Sequence, residues 1–244
     1  MIHIYRFAAR NIEIRALFPD IHDLCRDYRV DGIPDFVVST DLPDIALERE
    51  KALREGAVEG IPPRPFADGY LETLAVYRKI AEKLPEYDTF LFHGSAVCVD
   101  GAGYLFTAKS GTGKSTHARL WRELLGARAV MVNDDKPLIR VAGEGAFVCG
   151  TPWDGKHRLS RNMAAPLKAV CILERAGENH IVPITHSEAL PMLIQQAYRP
   201  ADPIAMARTL ALIDRLNVRF YRLSCNMDIG AAVLSYNTMK GKSI

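Results

Sequence analysis

Three observations predict an α/β domain with a mixed sheet and flanking helices. The first is a strand–loop–helix unit. The apolar run Tyr104-Leu105-Phe106-Thr107 leads through Ala108 to Thr116 into an amphipathic pattern, with Leu120, Trp121, Leu124 and Leu125 on one stripe and Gly126 as its stop. The second is the succession of further strand and helix patterns that follows it. The third is Phe90 to Val99, which reads as one strand that turns over Asp100-Gly101-Ala102-Gly103 and returns antiparallel into Tyr104. That return argues against a purely parallel, doubly wound sheet.

The loop of the first observation is Ala108-Lys109-Ser110-Gly111-Thr112-Gly113-Lys114-Ser115-Thr116. It fits the phosphate-loop pattern G-x-x-x-x-G-K-[ST] except at its first position, where Ala108 replaces glycine and requires a negative φ or a small shift of the loop entry. Glycines let backbone N–H groups turn inward around an anion, and the helix start adds unpaired N–H groups and a positive dipole end. The residues expected to hold ATP are therefore Ser110, Gly111, Thr112, Gly113, Lys114, Ser115 and Thr116. Lys114 would reach the β- and γ-phosphates, and the Ser115 hydroxyl would hold Mg²⁺.

Composition sets the bounds. The 244 residues allow one large domain, or one domain with an extension. Apolar residues make up 48% and charged residues 25%, a balance typical of soluble globular chains. A net charge of +2 gives no case for nucleic acid or a membrane surface as partner. The five cysteines, Cys25, Cys98, Cys149, Cys171 and Cys225, are scattered and suggest neither a disulfide frame nor a zinc site. Met1 to Arg10 carries charges and no long apolar core, so no signal peptide is expected and the cytoplasm is the expected compartment.

Taken in order, Met1–Phe7 and Asn11–Leu17 alternate as a β-hairpin, and Asp35–Ser39 is a short strand. Ile45–Glu55 reads as a solvated helix. The proline run Ile61–Pro65 is the expected boundary, giving an N-terminal extension over 1–66 and a catalytic domain over 67–244. Asp68 opens a helix that Pro85 ends. With Val99 placed opposite Tyr104, counting back puts His93 opposite Ser110, beside the loop. Ala127–Val132 is a strand ending in Asn133-Asp134-Asp135. Adjacent carboxylates at a strand's C-terminal end fit a site in which one faces Mg²⁺ and the other accepts a proton; Asn-Asp-Asp is also good turn chemistry. Ala146–Cys149 is a strand leading into a basic loop, 150–162, whose Lys156, His157, Arg158 and Arg161 could close over phosphates or hold an acceptor. Strands are expected at Leu167–Leu173, Ile181–Ile184 and Val218–Leu223. Helices are expected from Ser187 as cap, from Asp202-Pro203, and over Met227–Met239.

Three pieces in fixed order, His93-Gly94-Ser95-Ala96, Ser110 to Thr116, and Asn133-Asp134-Asp135, resemble the catalytic domain of HPr kinase/phosphorylase and the related fold of ATP-dependent phosphoenolpyruvate carboxykinase. The resemblance covers Phe90 to Leu173 best. It implies a P-loop kinase using ATP and Mg²⁺, with Asp135 facing the metal, Asp134 as general base and His93 in the active site. The arginine-rich signature of authentic HPr kinases does not follow the aspartates here, so the sugar-transport phosphocarrier is not the expected acceptor. Kinases of this type also modify seryl groups of ribosomally made peptides, and this chain is similar to them in size and outline. The expected function is therefore phosphoryl transfer to a hydroxyl, with a Ser of a protein or peptide as the expected acceptor. The alternatives are a nucleotide-sensing module without transfer and a small-molecule kinase. HPr kinases form hexamers, which raises a homo-oligomer here.

Overall fold

A computed structural model of the chain describes residues 1–60, 62, 65–143 and 145–241. The chain divides into two compact units, Met1–Lys83 and Leu84–Ile244. Most of the proline run over 61–65 lies outside the described residues.

The first unit begins with the expected hairpin, β1 (Ile2–Phe7) and β2 (Arg10–Arg15). Its two-residue turn holds Ala8 and Ala9 at φ of 48° and 66°. Both residues have left-handed φ, as in the turn that matches strand twist, but here without glycine. Helix α1 (Asp20–Leu24) follows, then β3 (Phe36–Ser39) parallel to β2, then α2 (Leu42–Glu59) and α3 (Asp68–Lys83). Helix α2 is longer than expected and not wholly solvated. Ile45 and Glu48 are buried, and Arg78 of α3 donates to Glu48 at 2.5 Å and to Asp44 at 3.1 Å. The fully buried Glu72 accepts from the Leu17 and Phe18 amides and from the Thr40 hydroxyl at 2.7, 2.8 and 2.6 Å.

The second unit contains β4 (Thr89–Leu91), β5 (Ser95–Val99), β6 (Ala102–Thr107), α4 (Lys114–Leu125), β7 (Ala129–Asn133), β8 (Leu138–Ala142), β9 (Gly145–Cys149), β10 (Ala164–Arg175), β11 (His180–Ile184), α5 (His186–Gln196), α6 (Pro203–Asp214), β12 (Arg219–Cys225) and α7 (Ile229–Met239). The order β11-β12-β10-β6-β5-β7 forms one mixed array, with β12, β10 and β6 parallel and β5 antiparallel to both its neighbours. Strand β10 has two jobs. Its first residues, Ala164–Pro166, pair with β9 and open a second antiparallel array, β9-β8-β4. Alternation along the strands separates two cores. Tyr104, Phe106, Ala169, Cys171 and Leu173 meet Trp121 of α4 and Ala232 of α7. Leu105, Val170 and Ile172 meet Leu193 of α5 and Leu212 of α6. No described helix is long and apolar enough to cross a membrane.

Three expectations need correction. The single strand Phe90–Val99 is broken: β4 and β5 belong to different arrays, and the amides of Phe92, His93 and Gly94 bond instead to Pro137, Gln196 and Asp135 carbonyls. The hairpin closes on two residues, Asp100 (φ 49°) and Gly101 (φ 82°), so Val99 pairs with Ala102 rather than Tyr104. A shift of two residues leaves every side chain on its expected face. Finally, α5 is capped by Thr185, whose hydroxyl and Glu188 form a capping box, rather than by Ser187.

Between α4 and α7 lies a buried polar trio. Ser235 Oγ receives the Trp121 indole N–H at 2.8 Å, lies 3.0 Å from His117 Nε2, and donates to the Ala232 carbonyl at 3.2 Å. Burial pushes the His117 imidazole down to about 4, so it is neutral at pH 7. In the unfolded chain the same ring takes a proton from about pH 6.5 downward. Its contribution to stability is therefore complete above that pH and is lost as pH falls toward 4, by about 3 kcal/mol in all. His117→Gln keeps a donor for Ser235 and cannot titrate. Denaturant unfolding at pH 7 and pH 4.5 is expected to show a smaller acid loss in this variant than in the wild type.

Candidate functional site

The site is built at the C-terminal ends of β6 and β7. After Thr107 the chain enters the loop at Ala108, which is fully buried against Phe106 and Ala118 and has no left-handed φ, so its Cβ is accommodated. Gly111 and Gly113 have φ of 75° and 121° with open space where a Cβ would stand. Glycine is needed there for backbone conformation rather than for room. No side chain caps the start of α4. The His117 amide makes the first helical bond, to the Gly113 carbonyl at 2.9 Å. Arg175, at the end of β10, donates to the Gly111 carbonyl and to the Thr112 carbonyl at 3.3 Å, which ties the loop's oxygens down from outside. The Lys114 ammonium donates to the Ala108 carbonyl at 3.2 Å. Burial lowers the Lys114 pKa, while Asp135 and Asp134 oppose the shift.

At the end of β7, buried Asn133 uses both ends of its amide. Its Oδ1 accepts from the Asp135 and Lys136 amides at 2.9 and 2.7 Å, and its Nδ2 donates to Thr151 O and Oγ1, both at 3.0 Å, and to Trp153 O at 3.3 Å. One side chain thus holds the two aspartates and the start of the basic loop together. Gly150 is pressed against that junction: a Cβ there would stand 1.9 Å from the Arg161 carbonyl and 2.7 Å from that of Val132. Asp134 is buried and accepts from Ser95 Oγ at 2.6 Å, and its Oδ2 faces Gly155. His93 Nε2 stands 3.5 Å from Asp135 Oδ1. Burial and then Lys114 push the His93 pKa below its ordinary value, against an upward pull from Asp135.

A cleft of about 720 Å³ is lined by His93, Ser110, Gly111, Gly113, Lys114, Ser115, Thr116, Asp134, Asp135, Lys156 and His157, all of them singled out from sequence. Thr112 lines a neighbouring cavity instead, and Arg158 and Arg161 line neither. Sequence reasoning missed Arg119, Arg122, Met131 and Leu159 in the same cleft. The two arginines follow Ser115 at i+4 and i+7, so a polar-face reading of α4 would have found them. From sequence, Ser95 and Asn133 stand only as members of motifs, with no role of their own.

The neighbouring cavity, of about 380 Å³, shares Gly113 and Thr116 with the cleft. Its walls include Leu120, Leu173 and Met227, with Asn226 and His117 as polar groups. His117 Nδ1 is buried and has no hydrogen-bond partner among the described residues.

Exchanging Asn133 for Asp would set a carboxylate oxygen against Thr151 and Trp153 carbonyls where an amide now donates. Asn133→Asp is expected to cost about 3 kcal/mol of stability, read from the shift in its denaturant midpoint against the wild type at pH 7.

Comparison with known proteins gives three findings. No curated protein matches the chain. Among solved structures, the Hpr(Ser) kinase/phosphatase from Coxiella burnetii aligns at 11% identity and a TM-score of 0.38, over 62% of this chain and 88% of that one, a likeness too slight to decide fold or function. Residues 69–210, more than half of the chain, match the family described as SynChlorMet cassette protein ScmC. The chain belongs to the ScmC family.

Proposed function

We propose that this protein is an ATP-dependent kinase of the HPr-kinase kind that transfers a phosphoryl group to a hydroxyl. One observation carries the reading: a single cleft collects the loop glycines, Lys114, Ser115, His93 and both aspartates. The triphosphate would lie along the loop, with backbone N–H groups and the Lys114 ammonium on its β- and γ-oxygens. Ser115 and Asp135 offer oxygen donors, the kind Mg²⁺ takes alongside phosphate and water, and no cluster of three or more metal-binding side chains occurs among the described residues. When bound there, Mg²⁺ supplies charge neutralisation at the β- and γ-phosphates.

Asp134 is the acid placed to receive the acceptor's proton. Ser95 fixes its Oδ1, and Gly155 keeps side-chain bulk off its Oδ2. Neutral His93 beside Asp135 adds no positive charge that would compete with Lys114. A nucleotide whose phosphates occupy the cleft would pass Gly113 and Thr116 into the second cavity. Its base would lie there among Leu120, Leu173 and Met227, with Asn226 and His117 as the polar groups of the wall. A sensor without transfer has less need of a second buried acid, and Asp134 with its Ser95 bond favours the transferase.

Two outcomes follow. Lys114→Ala is expected to lower kcat by 10²–10³, the equivalent of about 3–4 kcal/mol, measured as ADP release. ATP is expected to bind more tightly than inorganic tripolyphosphate. Both affinities are read by calorimetric titration. Equal binding of the two ligands by the wild type would refute the base site.

A further inference from the structure

The cleft extends past the loop along α4. Ser115, Arg119 and Arg122 recur on one face of that helix, and all three line the cleft. Arg122 lies seven residues beyond Ser115, about 10 Å along the axis. Lys156 and His157 of the basic loop line the same space, with Met131 and Leu159 as apolar surface. The cleft's charges do not balance internally. Asp134 is bonded to Ser95 and Asp135 faces His93, while Arg119 pairs with Glu123 on its own helix. Half-buried Arg122 and exposed Lys156 have no hydrogen-bond or ion-pair partner among the described residues. A guanidinium held in a cleft without a counter-ion is suited to a carboxylate from outside.

We propose that the acceptor is an acidic peptide. It lies extended along α4 with its Ser or Thr hydroxyl at Asp134 and a Glu or Asp carboxylate on Arg122 and Lys156. The proposal rests on the phosphotransferase reading above. Ser115 and Asp134 both line the phosphate end of the cleft, so the roughly 10 Å from Ser115 to Arg122 sets the scale of the span; an extended chain covers about 3.3 Å per residue, which places the acid about three residues from the acceptor. In the reaction the acceptor oxygen bonds to the γ-phosphorus of ATP, and the bond from that phosphorus to the β,γ-bridging oxygen breaks. The hydroxyl proton passes to Asp134 and ADP leaves. Arg122 and Lys156 touch the acceptor away from the reacting atoms and set specificity.

The test uses the full chain, Mg-ATP and a set of Ser peptides in which one Glu is moved from four residues before to four after the Ser, with Ala and Lys sets as controls and small hydroxy acids alongside. Products are read by mass spectrometry, and ATP affinity is measured on the same protein. At least tenfold faster transfer to peptides with Glu about three residues from Ser, on one side, supports the proposal. So does a reversal toward Lys peptides in Arg122→Glu with ATP affinity unchanged. Transfer indifferent to the flanking charge, transfer only to small hydroxy acids, or no transfer to any peptide overturns it. A protein that binds ATP in those failures leaves the nucleotide reading standing, and one that does not bind ATP removes both.

Discussion

Much of the site depends on the amide of Asn133. It is fully buried, and its two ends satisfy polar groups from two separate stretches of chain. Its oxygen shapes the Asp134–Lys136 turn, and its nitrogen holds the carbonyls of Thr151 and Trp153. An amide can do both because it carries an acceptor and two donors on one planar group. The Asn-Asp-Asp sequence is thus turn chemistry and site chemistry at once. The turn is the means by which adjacent acids are presented differently, one buried against Ser95 and one half-exposed beside His93.

The same economy appears in β10. Its parallel stretch sets β6 and β12 on either side, so the loops that follow these three strands emerge at one end. Its first three residues turn to serve β9, which brings the basic loop back to β7. The Arg161 amide bonds to the Val132 carbonyl at 3.2 Å, so that loop is anchored at both ends. This leaves Lys156 and His157 at its tip able to face the cleft, while Arg161 is held at its base.

What could be read in advance was local. The unit from Tyr104 to Gly126 declares itself because glycine spacing, a lysine and an apolar stripe all lie within one strand–loop–helix segment. Non-local features were less legible. Nothing within Phe90–Val99 says that β4 and β5 pair with different partners; the break is caused by Pro137, Gln196 and Asp135, far along the chain. Strand β8 gives a weak local signal, since Leu138–Ala142 carries Arg140 mid-strand, where the guanidinium stacks over the Phe147 ring across the pair. The hairpin register had a local signal, Asp-Gly, that was outweighed by reading the turn as four residues. Arg119 and Arg122 lie on the polar face of α4, away from the apolar stripe that marks the helix in the sequence.

Arg175 has a consequence for how the loop behaves before anything reaches it. Its guanidinium holds two successive peptide oxygens on the outer side, so the orientation of those peptide planes is set by the fold itself. For the anion site proposed above, a receptor set in this way would lose little freedom on capture, the entropy of ordering having been met during folding. The loop would then serve as a ready mould, and replacing that one side chain would free both peptide planes to turn.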